Sequence, residues 1–207
     1  QGASRSAGTF ISADRRTIAI YNERAADYAD RFAAAEPDQH LAALMAALPV
    51  GGRVLDLGCG PGTASAFLRA AGFDPDPVDA STSMVTVANA RHGIGARLGT
   101  FDDIDAVGVY DGVWANFSLL HAPREDLPRH LAALRRALKP GGVLHVGMKT
   151  GVGQGRDGLG RFYTYVTVPE LAGLLQDAGF RVTAMQEGRD VGLAGTDDPF
   201  VIMRAHG

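Results

Sequence analysis

The amino-acid sequence predicts a doubly wound α/β fold: a mainly parallel seven-stranded sheet that ends in a C-terminal antiparallel hairpin. Three observations carry that expectation. Short apolar runs alternate with amphipathic helical stretches, Gly and Pro mark most junctions, and the last two apolar runs are separated by a turn-rich loop instead of a helix. Right-handed crossovers would then place helices on both faces of one sheet.

Taken in order, Tyr21, Ala25, Tyr28 and Phe32 recur at helical spacing, which predicts a helix over Thr17–Phe32. A second helix is expected over Asp38–Leu48, before Pro49-Val50-Gly51-Gly52 interrupts the chain. Val54–Leu57 reads as a buried strand, Thr63–Ala71 as a helix ending at Gly72, and Pro75–Asp79 as a second strand. Ser81 suits the N-cap of a helix reaching about Arg91. Arg97–Thr100 and Val109–Ala115 are the next strands, and Leu127, Leu131, Leu134 and Leu138 mark a helix stopped by Pro140-Gly141-Gly142. Val143–Met148 follows as strand five. Thr167-Val168-Pro169-Glu170 has the form of a capping box, with Leu171, Leu174, Leu175 and Ala178 inward and Gly179 at the stop. Phe180–Met185 and Phe200–Met203 would form the hairpin across the Gly192–Pro199 loop. No repeat or linker divides residues 1–207, so one domain is expected, with 1–48 as an N-terminal helical lid and 49–207 as the α/β core.

The composition narrows the function. The 207 residues carry 20 basic and 23 acidic side chains, a formal charge of −3, so no basic field draws a phosphate backbone and nucleic-acid binding is not expected. No apolar run approaches the roughly 18 residues of a membrane span, and no signal-type leader is visible. A soluble, cytoplasmic protein is the expectation, with Gln1-Gly2 resembling a scar of tag removal. Cys59 is the only cysteine and the six histidines lack ligand spacing, so neither a disulfide nor a metal site is expected. The 27 glycines and 10 prolines are in excess, about 18% of the chain against roughly 12% on average.

Part of that excess lies in Asp56-Leu57-Gly58-Cys59-Gly60-Pro61-Gly62, between a strand and a helix, where the absence of Cβ atoms lets backbone approach a ligand. Asp79, at the end of the second strand, suits a carboxylate bonded to ribose hydroxyls. Together they describe a nucleoside site. A nicotinamide dinucleotide would call for Gly-x-Gly-x-x-Gly, whereas these glycines stand at 58, 60 and 62.

Residues 54–62, Val-Leu-Asp-Leu-Gly-Cys-Gly-Pro-Gly, resemble the first motif of class I S-adenosylmethionine-dependent methyltransferases without a gap. Val78-Asp79-Ala80-Ser81 resembles the second motif, Gly99-Thr100-Phe101-Asp102 the adenine-side segment, Tyr110-Asp111-Gly112-Val113 the fourth strand, and Leu138-Lys139-Pro140-Gly141-Gly142 the turn before strand five. The resemblance implies a Rossmann-like methyltransferase fold and S-adenosylmethionine as cofactor, with S-adenosylhomocysteine as product. It implies that Gly58, Gly60 and Gly62 cradle the methionine part, that Asp56 organises the loop, and that Asp79 holds the ribose. Cys59 counts with the loop among the cofactor contacts, although its side chain reads as packing. Ala80, Ser81 and Met84 would line the adenosine, Phe101 and Asp102 the adenine, and Asn116 and Phe117 the floor. Tyr21 and Tyr28 resemble tyrosines of the family's N-terminal helix, with core packing as their plain alternative.

A small-molecule acceptor is expected on the same edge of the sheet. His121, directly after strand four, is the candidate base, with a capping or solvent-facing role as its alternative. Eight glycines fall within Gly141–Gly160, a stretch that reads as a lid over the acceptor. Lys149 is one of two lysines, and Arg161 follows it among Arg156, Asp157, Tyr163 and Tyr165, a set suited to an anionic or aromatic acceptor; the alternative is a flexible loop in which Arg161 pairs with Asp157. Two other functions remain open at this point, a non-catalytic S-adenosylmethionine-binding regulator and an NAD-dependent oxidoreductase. The sequence carries no indication of oligomeric state.

Overall fold

The computed structural model describes residues 13–207. Seven strands form one sheet in the order β3-β2-β1-β4-β5-β9-β8, where β1 is Arg53–Leu57, β2 Asp74–Asp79, β3 Arg97–Leu98, β4 Tyr110–Asn116, β5 Leu138–Lys149, β8 Arg181–Val191 and β9 Asp197–His206. The five strands from β3 to β5 pair in parallel, and β9 and β8 add antiparallel. The expected fold class is the observed one.

Six α-helices accompany the sheet: α1 Arg15–Arg31, α2 Gln39–Ala47, α3 Thr63–Ala70, α4 Thr82–His92, α5 Leu127–Ala137 and α6 Val168–Asp177. The cores on the two faces explain why the central strands read as continuous apolar runs. Leu55, Val113, Leu144 and Val146 pack with Leu131, Leu134 and Leu175 on one face, and Val54, Trp114 and Val143 pack with Leu41, Leu44 and Leu68 on the other. Caps close the helices as the residues suggest. Asp14 accepts from Thr17 N, Ser81 Oγ from Met84 N, and Thr167 with Glu170 completes a capping box.

Pro75 and Pro77 sit inside β2, an interior strand. They are tolerated because β3 pairs only with Val78 and Asp79, leaving the outer edge of β2 beside both prolines without a neighbour.

The glycine-rich stretch after strand five departs from expectation. Gln154–Arg156 (β6) and Phe162–Thr164 (β7) pair as a small antiparallel sheet, so much of the predicted loop is a hairpin. Strand β5 also starts earlier than expected. Gly141 donates to Gly207 O and Gly207 to Gly142 O, so the C-terminus holds the Pro-Gly-Gly turn in extended pairing. Strands β8 and β9 are about twice the predicted length, because backbone pairing continues along β8 where its side chains are exposed and carry no apolar alternation.

The strand order reverses between β1 and β4, which lie next to each other while their crossovers lead to opposite sides. A crevice therefore forms beyond their carboxyl ends.

Candidate functional site

The loop after β1 is fixed to β2 by its own amides, since Gly58 N and Cys59 N both donate to Val78 O, at 2.8 and 2.9 Å. Gly58, Gly60 and Gly62 all have positive φ, but they do different work. A Cβ at Gly58 would lie 2.5 Å from Ser118 Cβ, and one at Gly62 would lie 2.4 Å from Ile94 Cδ1. At Gly60 the nearest atom is Tyr28 Cε1, 3.8 Å away, so that position keeps an open side. Gly58 and Gly60 line the cleft, whereas Gly62 is spent on packing against the α4 region. Cys59 is buried with Ala88, Ile94 and Ala96, where burial raises its thiol pKa, in keeping with a packing role.

Asp79 joins both halves of the cleft. Its Oδ2 accepts from Gly60 N and its Oδ1 from Ser81 N, each at 2.8 Å. Burial pushes its pKa up while those amides pull it down, and the net direction is upward. Asp56 lies behind the loop, fully buried, accepting from Ser65 Oγ of α3 at 2.7 Å. Burial raises its pKa to about 7, opposed by the Ser65 bond and reinforced by Asp79.

The walls of the cleft include Ala80, Ser81, Met84, Phe101, Asn116, Phe117, Tyr21, Tyr28 and His121. Asp102 is not in the wall, because its carboxylate is drawn to Arg129 at 2.6 Å. Asp14, Thr17, Ile18 and Ser118 line the cleft without having been expected, and Thr100 of the adenine-side segment joins them. Only Asp14-x-x-Thr17 carried a local signal, the spacing of an N-cap. Asn22 was also missed, although its Oδ1 accepts from Ser81 Oγ at 2.7 Å and Ser83 N at 3.1 Å and so docks α1 on α4.

His121 is held at both ring nitrogens. Nδ1 lies 2.7 Å from Phe162 O, and a carbonyl can only accept, so Nδ1 carries the proton. Nε2 is then the acceptor of the Tyr21 hydroxyl proton at 2.9 Å, and the Tyr21 oxygen accepts from Arg161 Nη1 at 2.9 Å. Burial lowers the His121 pKa to about 4 and raises that of Tyr21, so both are neutral near pH 7. The lone pair that would serve a base is already engaged by Tyr21.

Lys149 and Arg161 do not face the cleft itself. With Phe32, Leu120, Tyr163 and Phe200 they line an adjoining cavity, and Tyr21, Tyr28 and Phe117 line both spaces. Each cation has its own carboxylate. Lys149 Nζ is 2.5 Å from Asp198 and 4.2 Å from the centre of the Tyr163 ring, and Arg161 is paired with Asp157 at 2.7 Å. The Arg161–Asp157 pair of the plainer reading is therefore present, within a structured hairpin. Phe117 adopts φ +53, a left-handed conformation that is uncommon for a bulky residue. Among the described residues no group of His, Cys, Asp and Glu is placed to hold a metal ion, and no helix is long and apolar enough to cross a membrane.

Residues 54–142 match a family model described as a methyltransferase domain. Malonyl-[acyl-carrier protein] O-methyltransferase of Pectobacterium atrosepticum is 34% identical over 135 residues, which cover 63% of this chain and 52% of that protein. Ribosomal RNA small subunit methyltransferase C of Alcanivorax borkumensis is 33% identical over 140 residues, covering 61% and 43%. The chain spans about half or less of the length of these relatives. The crystal structure of Burkholderia thailandensis 1,6-didemethyltoxoflavin-N1-methyltransferase, with bound 1,6-didemethyltoxoflavin and S-adenosylhomocysteine, superposes with a TM-score of 0.67 at 22% identity, covering 96% of this chain and 92% of that one. With its first motif contiguous over 54–62 and its strand order that of a doubly wound sheet closed by an antiparallel pair, the chain carries a methyltransferase domain over residues 54–142 and is similar to the class I S-adenosylmethionine-dependent methyltransferases.

Proposed function

We propose that this protein transfers a methyl group from S-adenosylmethionine to a small, flat, largely apolar acceptor that bears an acidic O–H or N–H. One observation carries the reading: the cleft at the glycine loop shares a wall with an aromatic cavity, since Tyr21, Tyr28 and Phe117 line both.

The residues present fit the cofactor. Gly60 offers a side that a Cβ would fill, Asp79 presents a carboxylate at the ends of β2 and the loop, and Ala80, Met84 and Phe101 give an apolar bed. Gly58 and Gly60 would hold the methionine part, Asp79 the ribose hydroxyls and Met84 and Phe101 the adenine. When bound, the sulfonium supplies an electrophilic methyl group.

The chain's own contribution is positioning and proton handling. Aromatic walls orient a planar acceptor and exclude water, which itself accounts for much of the acceleration in an in-line transfer. The acceptor's proton passes to the Tyr21 oxygen while the Tyr21 proton moves to His121 Nε2, leaving the phenol neutral and the imidazole charged. An imidazole with a pKa of about 4 is a weak base, so this route suits an acceptor whose proton is itself acidic. Because Lys149 and Arg161 are neutralised by Asp198 and Asp157, an aromatic acceptor is favoured over an anionic one.

Calorimetry with S-adenosylhomocysteine tests the cofactor half: the wild-type chain binds and a folded Asp79→Ala variant does not. Full affinity in that variant would sink the ribose assignment. A labelled-methyl screen tests the acceptor half with electron-poor phenols and ring N–H heterocycles, aliphatic carboxylates, an acyl-carrier thioester and ribosomal RNA as separate arms. The RNA arm is needed because an RNA methyltransferase is among the relatives and the net charge alone does not separate the classes. Cofactor binding without turnover in any arm would favour a regulatory role.

A further inference from the structure

A separate cavity opens on the face of the sheet that α2 covers, away from the glycine loop. Its position follows from the strand register. His145 of β5 is the cross-strand partner of Arg204 in β9, and Arg204 is the partner of Ala184 in β8, so the three side chains stand in one row on one face. Gln186, the next residue of β8 on that face, and Gln39 with His40 from the first turn of α2 complete the enclosure.

The chemistry of this cavity is one-sided. It is lined by a guanidinium, two imidazoles and two carboxamides, and by no carboxylate. Nε of Arg204 is buried with no hydrogen-bond partner among the described residues. Arg161, which also lines a cavity, has Asp157 against it at 2.7 Å. Arg204 has no such partner, and a buried, unsatisfied charged donor is costly unless something outside the chain completes it. His145 is held ready beside it. Its ring stacks on Trp114 with centroids 3.8 Å apart, and its Nε2 donates to Asn116 Oδ1 at 2.9 Å. Burial together with His40 and Arg204 keeps it neutral, with its pKa lowered to about 3, a penalty that a neighbouring negative charge would relieve.

We propose that this cavity is a binding site for an oxyanion, the phosphate or carboxylate group of a small molecule, held by Arg204 with His40 and His145 beside it and the amides of Gln39 and Gln186 as neutral donors. A guanidinium presents paired donors that match two oxygens of such a group. The site is separate from the cofactor cleft and does not depend on the methyltransferase reading.

The test is calorimetry and thermal unfolding of the full chain at fixed ionic strength, with inorganic phosphate and citrate as the two anions. At least one should bind saturably and raise the melting temperature, and the tighter of the two identifies phosphate or carboxylate as the preferred group. Arg204→Gln should weaken that binding by about tenfold or more, the loss of one charge-assisted hydrogen bond, and leave S-adenosylhomocysteine affinity unchanged. Should Arg204→Gln fail to fold, His40→Leu is the second variant, with weakened anion binding again expected. In Asp79→Ala the anion should bind as in the wild type. The proposal is overturned if neither anion saturates, if the folded Arg204 or His40 variant binds as tightly as the wild type, or if Asp79→Ala abolishes binding, which would put the anion in the cofactor cleft.

Discussion

The Tyr21 hydroxyl donates to His121 Nε2 and accepts from Arg161 Nη1, both at 2.9 Å, so one phenol joins the N-terminal helix, the segment after β4 and the β6–β7 hairpin. Tyr21→Phe keeps the ring and removes both bonds, leaving a buried guanidinium N–H unmatched. We expect turnover to fall by about a hundredfold or more, the usual scale for a lost proton-transfer group, with S-adenosylhomocysteine affinity nearly unchanged. Denaturant unfolding should record a loss of about 1–3 kcal/mol. Unchanged turnover in this variant would remove the proton route proposed here.

Stability should depend on pH through two buried groups of opposite sign. His121 has a pKa near 6.5 when unfolded and about 4 when folded, so between those values the unfolded chain binds a proton that the folded one refuses. Its contribution is complete above about 6.5 and is lost as pH falls towards 4. Asp56 goes from 3.8 unfolded to about 7 folded, so its contribution is complete below 3.8 and is lost as pH rises through 7. Asp56→Asn keeps an acceptor for Ser65 and cannot ionise. Relative to wild type, its melting temperature should rise by several degrees more at pH 8 than at pH 5, a difference on the order of 2 kcal/mol. Equal shifts at both pH values would contradict a raised Asp56 pKa.

Two glycines of the same loop should behave differently. Gly62→Ala forces a Cβ to 2.4 Å from Ile94 Cδ1 at φ +81, and should cost about 2–4 kcal/mol through strain and overpacking. Gly60→Ala meets nothing closer than 3.8 Å and should cost only about 1–2 kcal/mol, the left-handed penalty. Yet Gly60→Ala is the variant expected to lose cofactor affinity, because its methyl enters the cleft. Unfolding and calorimetry on the pair separate the two effects.

Phe117 combines φ +53 with a ring set edge-on to Phe200 at 5.5 Å, in the wall shared by the two cavities. Backbone strain of this kind gathers at functional sites. Phe117→Asn accepts the same backbone and loses the ring, so acceptor KM should rise by about tenfold while stability changes by no more than about 1 kcal/mol. An unaltered KM would exclude Phe117 from the acceptor wall.

What was legible in the sequence was local. Val54–Gly62, Asp79 and Ser81 declare themselves because strand end, positive-φ glycines and N-cap are consecutive residues whose chemistry depends on near neighbours. What was not legible depends on distant partners. Nothing near Thr17 indicates that its Oγ1 accepts from Phe162 N, 145 residues away, and nothing near Asp102 announces Arg129. The β6–β7 hairpin was hidden for a related reason: Gln154-Gly155-Arg156 has no apolar alternation, and its pairing is stabilised from outside by Arg124 N, which donates to Gln154 Oε1, and by Ala122 O, which accepts from Thr164 Oγ1. The Arg161–Asp157 pair, four residues apart, could be read as an alternative from the sequence, but Asp198, which neutralises Lys149 from 49 residues away and changes what it can bind, appears only once the chain is folded.

The attachment of α1 to the β6–β7 hairpin has a consequence for the order of events during synthesis. Asp14 grips Arg156, 142 residues later, and Thr17 waits for Phe162. At about 5–20 residues per second, α1 stands without these partners for roughly 7–30 s after it is made. Its apolar stripe, with Tyr21 and Tyr28, is exposed for that interval, so α1 is made well before the hairpin that buries it.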